Sequence, residues 1–116
     1  MKSVSKYSDN NGGGYDTASY VTATTDWLFL LAEFEYHGKQ SYANSAEQNY
    51  QKQYDYYKAG NSKVHYRHDS TGSAVAAWAR SACSGNGSIF CRVYTDGTPG
   101  NYYADTSWAL APGFAA

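Results

Sequence analysis

Aliphatic side chains are scarce in this sequence. Leu, Ile, Val and Phe together number only 14 of 116 residues, about 12%, below the ~20% at which composition begins to suggest disorder. Disorder also needs a high net charge, and here the formal charge is −1. Thirteen Tyr and three Trp stand where the aliphatics are missing, and each aromatic buries a large area when packed. A folded, aromatic-rich single domain is therefore expected. Charge of one sign is also lacking. Nine basic residues face ten acidic ones, which gives no electrostatic footprint for nucleic acid. No apolar run approaches the ~18 residues of a membrane span. Lys2 and Lys6 precede no apolar core, so no signal peptide is expected. What is abundant is Tyr, Gly, Ser and Asn. That is the palette of antibody-like binding loops, and equally that of a soluble domain rich in Tyr. Composition does not separate the two.

Residues 1–25 are rich in Ser, Thr, Gly and Asn and read as a flexible N-terminal segment or linker centred on Asp9-Asn10-Asn11-Gly12-Gly13-Gly14. No Gly-Lys-Ser/Thr follows the glycines, so a phosphate loop is not supported. Trp27-Leu28-Phe29-Leu30-Leu31 is a continuous apolar run that fits a strand buried on both faces. Glu33 to His37 reads as one or two helical turns stopped by Gly38. Glu33 and Glu35 are two apart and point to different faces, which argues against a catalytic carboxylate pair. They are expected to be solvated charges near a helix N-terminus. Ser45-Ala46-Glu47-Gln48 is a capping-box signature, predicting a helix over roughly 46–59 ended by Gly60. Tyr50, Tyr54 and Tyr57 would form one stripe of it, read as core packing. His65-Tyr66-Arg67-His68-Asp69 is the one place where metal-ligand types crowd together. With no third His or Cys nearby it reads as a polar loop, and no metal or cofactor is expected.

The C-terminal third carries the clearest pattern. Ile89-Phe90-Cys91-Arg92-Val93-Tyr94 is strand-like. A period of two sends Ile89, Cys91 and Val93 to one face and Phe90, Arg92 and Tyr94 to the other. Asp96-Gly97 is a turn signal, and Asn101 to Asp105 is a second, more polar run. Trp78 and Phe114, in the apolar runs at the two ends, are expected as core anchors. Trp78-Ala79-Arg80-Ser81-Ala82, Phe90-Cys91, Val93, Gly97 and Leu110-Ala111-Pro112-Gly113-Phe114 occur in the order of a known pattern. That pattern is Trp-Leu-Arg-Ser-Pro, Phe-Cys-x-Val, Gly, and Gly-Val-(Arg/Ala)-Pro-x-(Phe/Leu). It marks a family of C-type-lectin-fold domains of phages and gut bacteria. This family is related in fold to the variable proteins of diversity-generating retroelements and to formylglycine-generating enzymes. Leu28-Phe29-Leu30-Leu31-Ala32-Glu33-x-Glu35 resembles another of its segments, as does Tyr56 to Ser62. Ala79, Ala82 and Ala32 depart from the pattern, which has Leu, Pro and Ser there.

The resemblance implies an α+β, C-type-lectin-like domain over 26–116, with a small antiparallel sheet and one or two helices. It lacks the family's usual N-terminal portion, as a shortened form or the C-terminal piece of a larger protein would. The resemblance further implies a ligand- or receptor-binding display module of a phage particle or bacterial surface protein. Its target would be a protein or glycan on a bacterial cell surface, bound by a homo-oligomer or larger assembly at the virion or cell surface. The binding face is expected to comprise Arg92, Tyr94, Tyr102, Tyr103, Asp105 and Trp108. The first two follow from strand parity, the rest from the polarity of their run and from position. A structural tail or baseplate decoration is the second reading, and an oxidase of the formylglycine-generating type ranks last. No nucleophile, base and orienting group occur with suggestive spacing. The Glu-Pro-Asn and Trp-Asn-Asp tripeptides of calcium-dependent sugar binding are also missing. Cys83 and Cys91 flank a hairpin loop. Either a disulfide closes it, which needs Cα atoms within about 7 Å, or Cys91 is buried and Cys83 free. The family generally has only the Cys91 equivalent, which favours two free thiols.

Overall fold

A computed structural model describes residues 2–5, 21–24, 28–67, 70–84 and 88–114. Strands β1 (Lys2–Ser5) and β2 (Val21–Thr24) pair antiparallel. They lie within the segment expected as a linker, whose glycine-rich centre falls outside the described residues. β3 (Leu28–Leu30) leads into helix α1 (Glu33–His37). A 3-10 helix (Ser45–Tyr50) and helix α2 (Asp55–Lys58) follow. β4 (His65–Arg67) and β5 (Ser70–Val75) form a second antiparallel pair. The main sheet contains β6 (Ala77–Ala82), β7 (Ile89–Val93), β8 (Pro99–Tyr103) and β9 (Ala109–Leu110), in the order β8-β7-β6-β9. β10 (Pro112–Phe114) then returns to pair antiparallel with β3. This is a small α+β fold with antiparallel sheets, apart from a two-residue parallel pairing of β6 with β9.

The expected strand-and-parity pattern of the C-terminal third appears in the sheet. Cys91 and Val93 point into the core, and Arg92 lies on the opposite face. β6 is built of small residues. Ala77, Ala79, Ser81 and Ala82 are all buried, which lets α1 and the segment before it lie close on the strand. Arg80 N–H donates to Leu31 O at 3.0 Å, and Glu33 N–H donates to Ser81 Oγ at 3.1 Å. Gly38 ends α1 as expected, at φ 69°, a conformation costly for other residues. A Cβ there would also come within 2.6 Å of Gln53 Oε1.

Three expectations give way to tertiary structure. The helix expected over 46–59 is broken into the 3-10 helix and the single turn of α2. Asn44, not Ser45, is the N-cap, and its Oδ1 accepts from Ala46 N–H at 2.9 Å. Glu47 turns into the core instead of closing a capping box, and accepts from Ser81 Oγ at 2.7 Å and from Gln51 Nε2 at 3.0 Å. The chain then extends so that Tyr54 N–H reaches Glu35 O (3.0 Å) and Gln53 Nε2 reaches Tyr36 O (2.9 Å). Tyr54 and Tyr57 pack against the core cluster of Leu31, Tyr36, Ala43, Ala79, Cys91 and Val93; the side chain of Tyr50 lies outside the described residues. Over its described part, 28–31, the apolar run is not buried on both faces; among the described residues β3 pairs with β10 alone. Leu28 is 65% exposed, and burial is complete only from Leu31 onward.

The third correction concerns the acidic residues. Glu33, Glu35 and Glu47 are 2%, 3% and 0% exposed rather than solvated. A buried carboxylate is tolerable only when its oxygens are satisfied. Glu33 accepts from the N–H groups of Ser41, Tyr42 and Ala43 at 2.8 to 3.2 Å. Glu35 pairs with Arg80 Nη1 at 2.6 Å and reaches back to Ala32 N–H at 2.9 Å. The same Arg80 nitrogen donates to Leu30 O at 2.8 Å. Arg80→Met would leave the Glu35 carboxylate buried without this guanidinium, and should cost about 3–5 kcal/mol in urea unfolding. Adding Glu35→Gln, which keeps the acceptor for Ala32 and removes the charge, should recover more than half of that loss.

Two imidazoles border the Tyr36 side of the core. Tyr36 Oη lies 3.4 Å from His65 Nε2, and the two rings meet edge-on at 5.7 Å. Burial, then the charges of Lys63 and Lys39, pushes His37 down to about 4 from 6.5. Burial also pushes His65 down, against a backbone hydrogen bond at Lys63 that raises it. In both cases the folded state holds the neutral form while the unfolded chain takes up protons. Stability is therefore complete above the unfolded value of 6.5 and is lost as pH falls from there toward 4. Melting temperature should fall across that window in thermal scans, and His37→Gln should flatten the fall.

Candidate functional site

The face of the main sheet opposite the core collects aromatic side chains around one cation. Cross-strand register places Trp78 and Gly100 on either side of Arg92. Gly100 offers no side chain, and a Cβ there would stand 3.7 Å from Arg92 Cγ and Nε. The arginine stem thus lies across the glycine. Its guanidinium carbon is 4.8 Å from the Tyr94 ring centroid, 4.7 Å from Tyr102 and 4.8 Å from Trp108. Such distances are in the range of cation–π attraction. Tyr102 and Trp108 meet edge-on at 5.7 Å and 83°, so the three rings form a cage rather than a stack. Tyr94 is held by the turn after β7, where its N–H donates to Thr98 O at 2.8 Å. In the same turn Asp96 accepts from Thr98 N–H and Oγ1, and the side-chain bond first, then the backbone one, holds its carboxyl below the usual range.

Arg92 and Arg80 sit on neighbouring strands but are satisfied differently. Arg80 has a carboxylate. No carboxylate pairs with Arg92 among the described residues, and its Nε is buried without a hydrogen-bond partner, as is Trp108 Nε1. The terminal nitrogens of Arg92 are not among the buried unpartnered atoms, so they reach solvent. The cage walls the stem and leaves the tip open.

Of the six residues expected on the binding face, Arg92, Tyr94, Tyr102 and Trp108 meet in this cage. Tyr103 pairs with Ile89 in the ladder and so has the opposite parity from Tyr102. It is exposed, touches Tyr102 edge-on at 6.0 Å, and lines a separate recess with Ser88, Ala104 and Asp105. Asp105 is exposed in the turn after β8, with Thr106 Oγ1 3.4 Å from its carboxylate. These two residues flank the cage rather than build it.

Sequence reasoning missed other parts of the same face. Trp78, expected as a core anchor, is half-buried and lies on the Arg92 side. With Leu30, Ala79, Arg80, Phe90, Ala104 and Leu110 it lines a mostly apolar hollow of about 230 Å³. The parity of Phe90 carried that signal. Beyond Trp108 a cavity of about 460 Å³ is bordered by Tyr66, Arg67, Ser107 and Leu110 among others. That cavity joins β4 to the C-terminal segment, a pairing no local pattern encodes. The side chain of Phe114 lies outside the described residues. In the polar run expected as a loop, His65 turns toward Tyr36, while His68 and Asp69 lie outside the described residues. Among the described residues no group of three His, Cys, Asp or Glu is placed to hold a metal.

Cys83 and Cys91 are free and buried. Asn101 Nδ2 approaches Cys83 Sγ at 3.8 Å. Burial pushes both thiols up, Cys91 well above the ordinary value, with the Glu33 charge adding to both.

No protein-family model, curated protein or solved structure matches this chain.

The cage contacts are partly solvated, at about 0.5–1 kcal/mol each. Arg92→Met should therefore cost about 1.5–3 kcal/mol in urea unfolding, less than Arg80→Met measured under the same conditions. Equal losses for the two variants would mean that Arg92 is a core element and not a surface receptor.

Proposed function

We propose that this chain is a ligand- or receptor-binding module, C-type-lectin-like in fold, displayed on a phage particle or a bacterial surface protein. It binds through the outer face of the β8-β7-β6-β9 sheet. The observation that carries this reading is the Arg92 cage: a guanidinium with an open tip and no carboxylate partner among the described residues, walled by Tyr94, Tyr102 and Trp108. Arg, Tyr and Trp dominate interface hot spots. Phe90, Tyr94, Tyr102 and Leu110 are exposed in the same region, and clustered exposed apolar surface marks an interaction site. A structural subunit of a phage tail is favoured by a different observation. Leu28 and Leu110 are among the most exposed large apolar side chains, as a surface packed against a neighbouring subunit would require.

The test uses fluorescently labelled chain on a panel of bacterial cells, read by flow cytometry beside thermal melting. The wild-type chain should label at least one strain. Tyr94→Ala with Trp108→Ala should abolish labelling while the melting temperature moves by only a few degrees. No labelling of any strain, together with concentration-dependent self-association in sedimentation, would favour the structural subunit. Labelling lost only when the fold is lost would place these residues in the core.

A further inference from the structure

We infer that the Arg92 cage is a receptor for a carboxylated sugar ring, a hexuronate unit of an acidic polysaccharide. This rests on the binding-module reading above and names the ligand class of that same face.

The charge argument comes first. Arg92 offers donors only, and its terminal nitrogens reach solvent while Nε is buried against rings. A guanidinium so walled is already partly dehydrated. That strengthens a charge-assisted bond to an incoming carboxylate and favours the bidentate geometry of a planar fork. The complementary group must be an acceptor bearing negative charge. No Asp or Glu of the described residues supplies it. The nearest acidic candidates by position are Asp96 and Asp105. Asp96 is taken up by Thr98, and Asp105 stands in the turn beside Tyr103.

The remainder of the face selects a sugar over an acidic peptide. An extended peptide gains affinity by adding a strand to a sheet edge. The cage lies on the sheet face, over Gly100, whereas the backbone groups open to an added strand run along the outer edge of β8. A hexuronate presents in one ring a carboxylate for Arg92, a patch of C–H groups for an aromatic face, and hydroxyls for polar partners. The protein supplies each of these. Tyr94 and Tyr102 are exposed beside the guanidinium. Past Trp108, the cavity of about 460 Å³ provides Tyr66 and Ser107. Its volume is within the roughly 300–1,000 Å³ of small-ligand sites. Trp108 borders both cage and cavity, so adjacent sugar units of one chain can occupy the two.

The experiment is isothermal titration of the full chain with three probes: hexagalacturonate, its fully methyl-esterified form, and a glutamate hexapeptide. Hexagalacturonate should bind about tenfold or more tightly than its ester, the difference made by a charged hydrogen-bonded pair. Arg92→Met should erase that ratio, with thermal melting confirming that the fold is kept. Arg92→Lys retains stem and charge and guards against an unfolded Met variant; it should restore only part of the ratio, because an ammonium cannot engage both oxygens. Trp108→Phe should weaken both saccharides alike. Equal affinity for acid and ester, a ratio that survives Arg92→Met, preference for the glutamate peptide, or no binding of any probe would each overturn the assignment. Should any of these occur while cells are still labelled through Tyr94 and Trp108, the acidic-sugar assignment falls and the binding-module reading stands. Loss of cell labelling as well would remove both.

Discussion

Three buried carboxylates hold together a domain that has too few aliphatic side chains to rely on a large apolar core. Glu33, Glu35 and Glu47 each sit where β6 meets the helical segments. Glu33 gathers the backbone N–H groups of Ser41, Tyr42 and Ala43, fixing the loop that follows α1. Glu35 ties α1 to β6 through Arg80, and Glu47 ties the 3-10 helix to the same strand through Ser81. The alanines of β6 make this feasible, because larger side chains would hold the helices away from the hydrogen-bonding distances observed. A buried charge demands satisfied partners far more strictly than an apolar group demands a neighbour. The carboxylates therefore define one arrangement of the chain where a thin apolar core would leave several.

Two arginines on adjacent strands are satisfied in different ways. Arg80 supports the scaffold: it is nearly buried, ion-paired to Glu35 and bonded to the backbone of Leu30. Arg92 has rings in place of a carboxylate. Aromatic faces attract a cation but do not neutralise its hydrogen-bonding capacity, so the terminal N–H groups remain available. The same residue type is ion-paired within the scaffold on β6 and walled by rings on β7, where the proposed reading gives it recognition. Gly100, which leaves room above the ladder, is part of what separates those roles.

Much of the C-terminal sheet was legible in the chain because it depends on local pattern. The alternation around Cys91 and Val93, the turn at Asp96-Gly97 and the stops at Gly38 and Gly60 all follow from period-two alternation or from glycine's access to positive φ. The site was legible in part. Parity placed Arg92 and Tyr94 on one face, and they lie there. The same reasoning set Tyr103 and Asp105 beside them from polarity alone, whereas the β7–β8 register puts Tyr103 on the opposite parity. Trp78 was assigned to the core by hydrophobicity, which says a large ring wants cover but not which face supplies it.

The sequence by itself determined the turns and the two faces of β7, since these rest on contacts between residues close in the chain, while the order of its motifs pointed to the α+β class. Only the tertiary structure decided the fate of the charges. Whether Glu47 caps a helix or enters the core depends on Ser81, 34 residues away. Whether Glu35 is solvated depends on Arg80, 45 residues away. Whether Arg92 meets a carboxylate or three rings depends on where Tyr102 and Trp108 arrive when β8 and β9 take their places on either side of β7 and β6. Long-range hydrogen bonds and cation–π contacts act over a few ångströms in space, and no spacing along the chain encodes which residues will come that close.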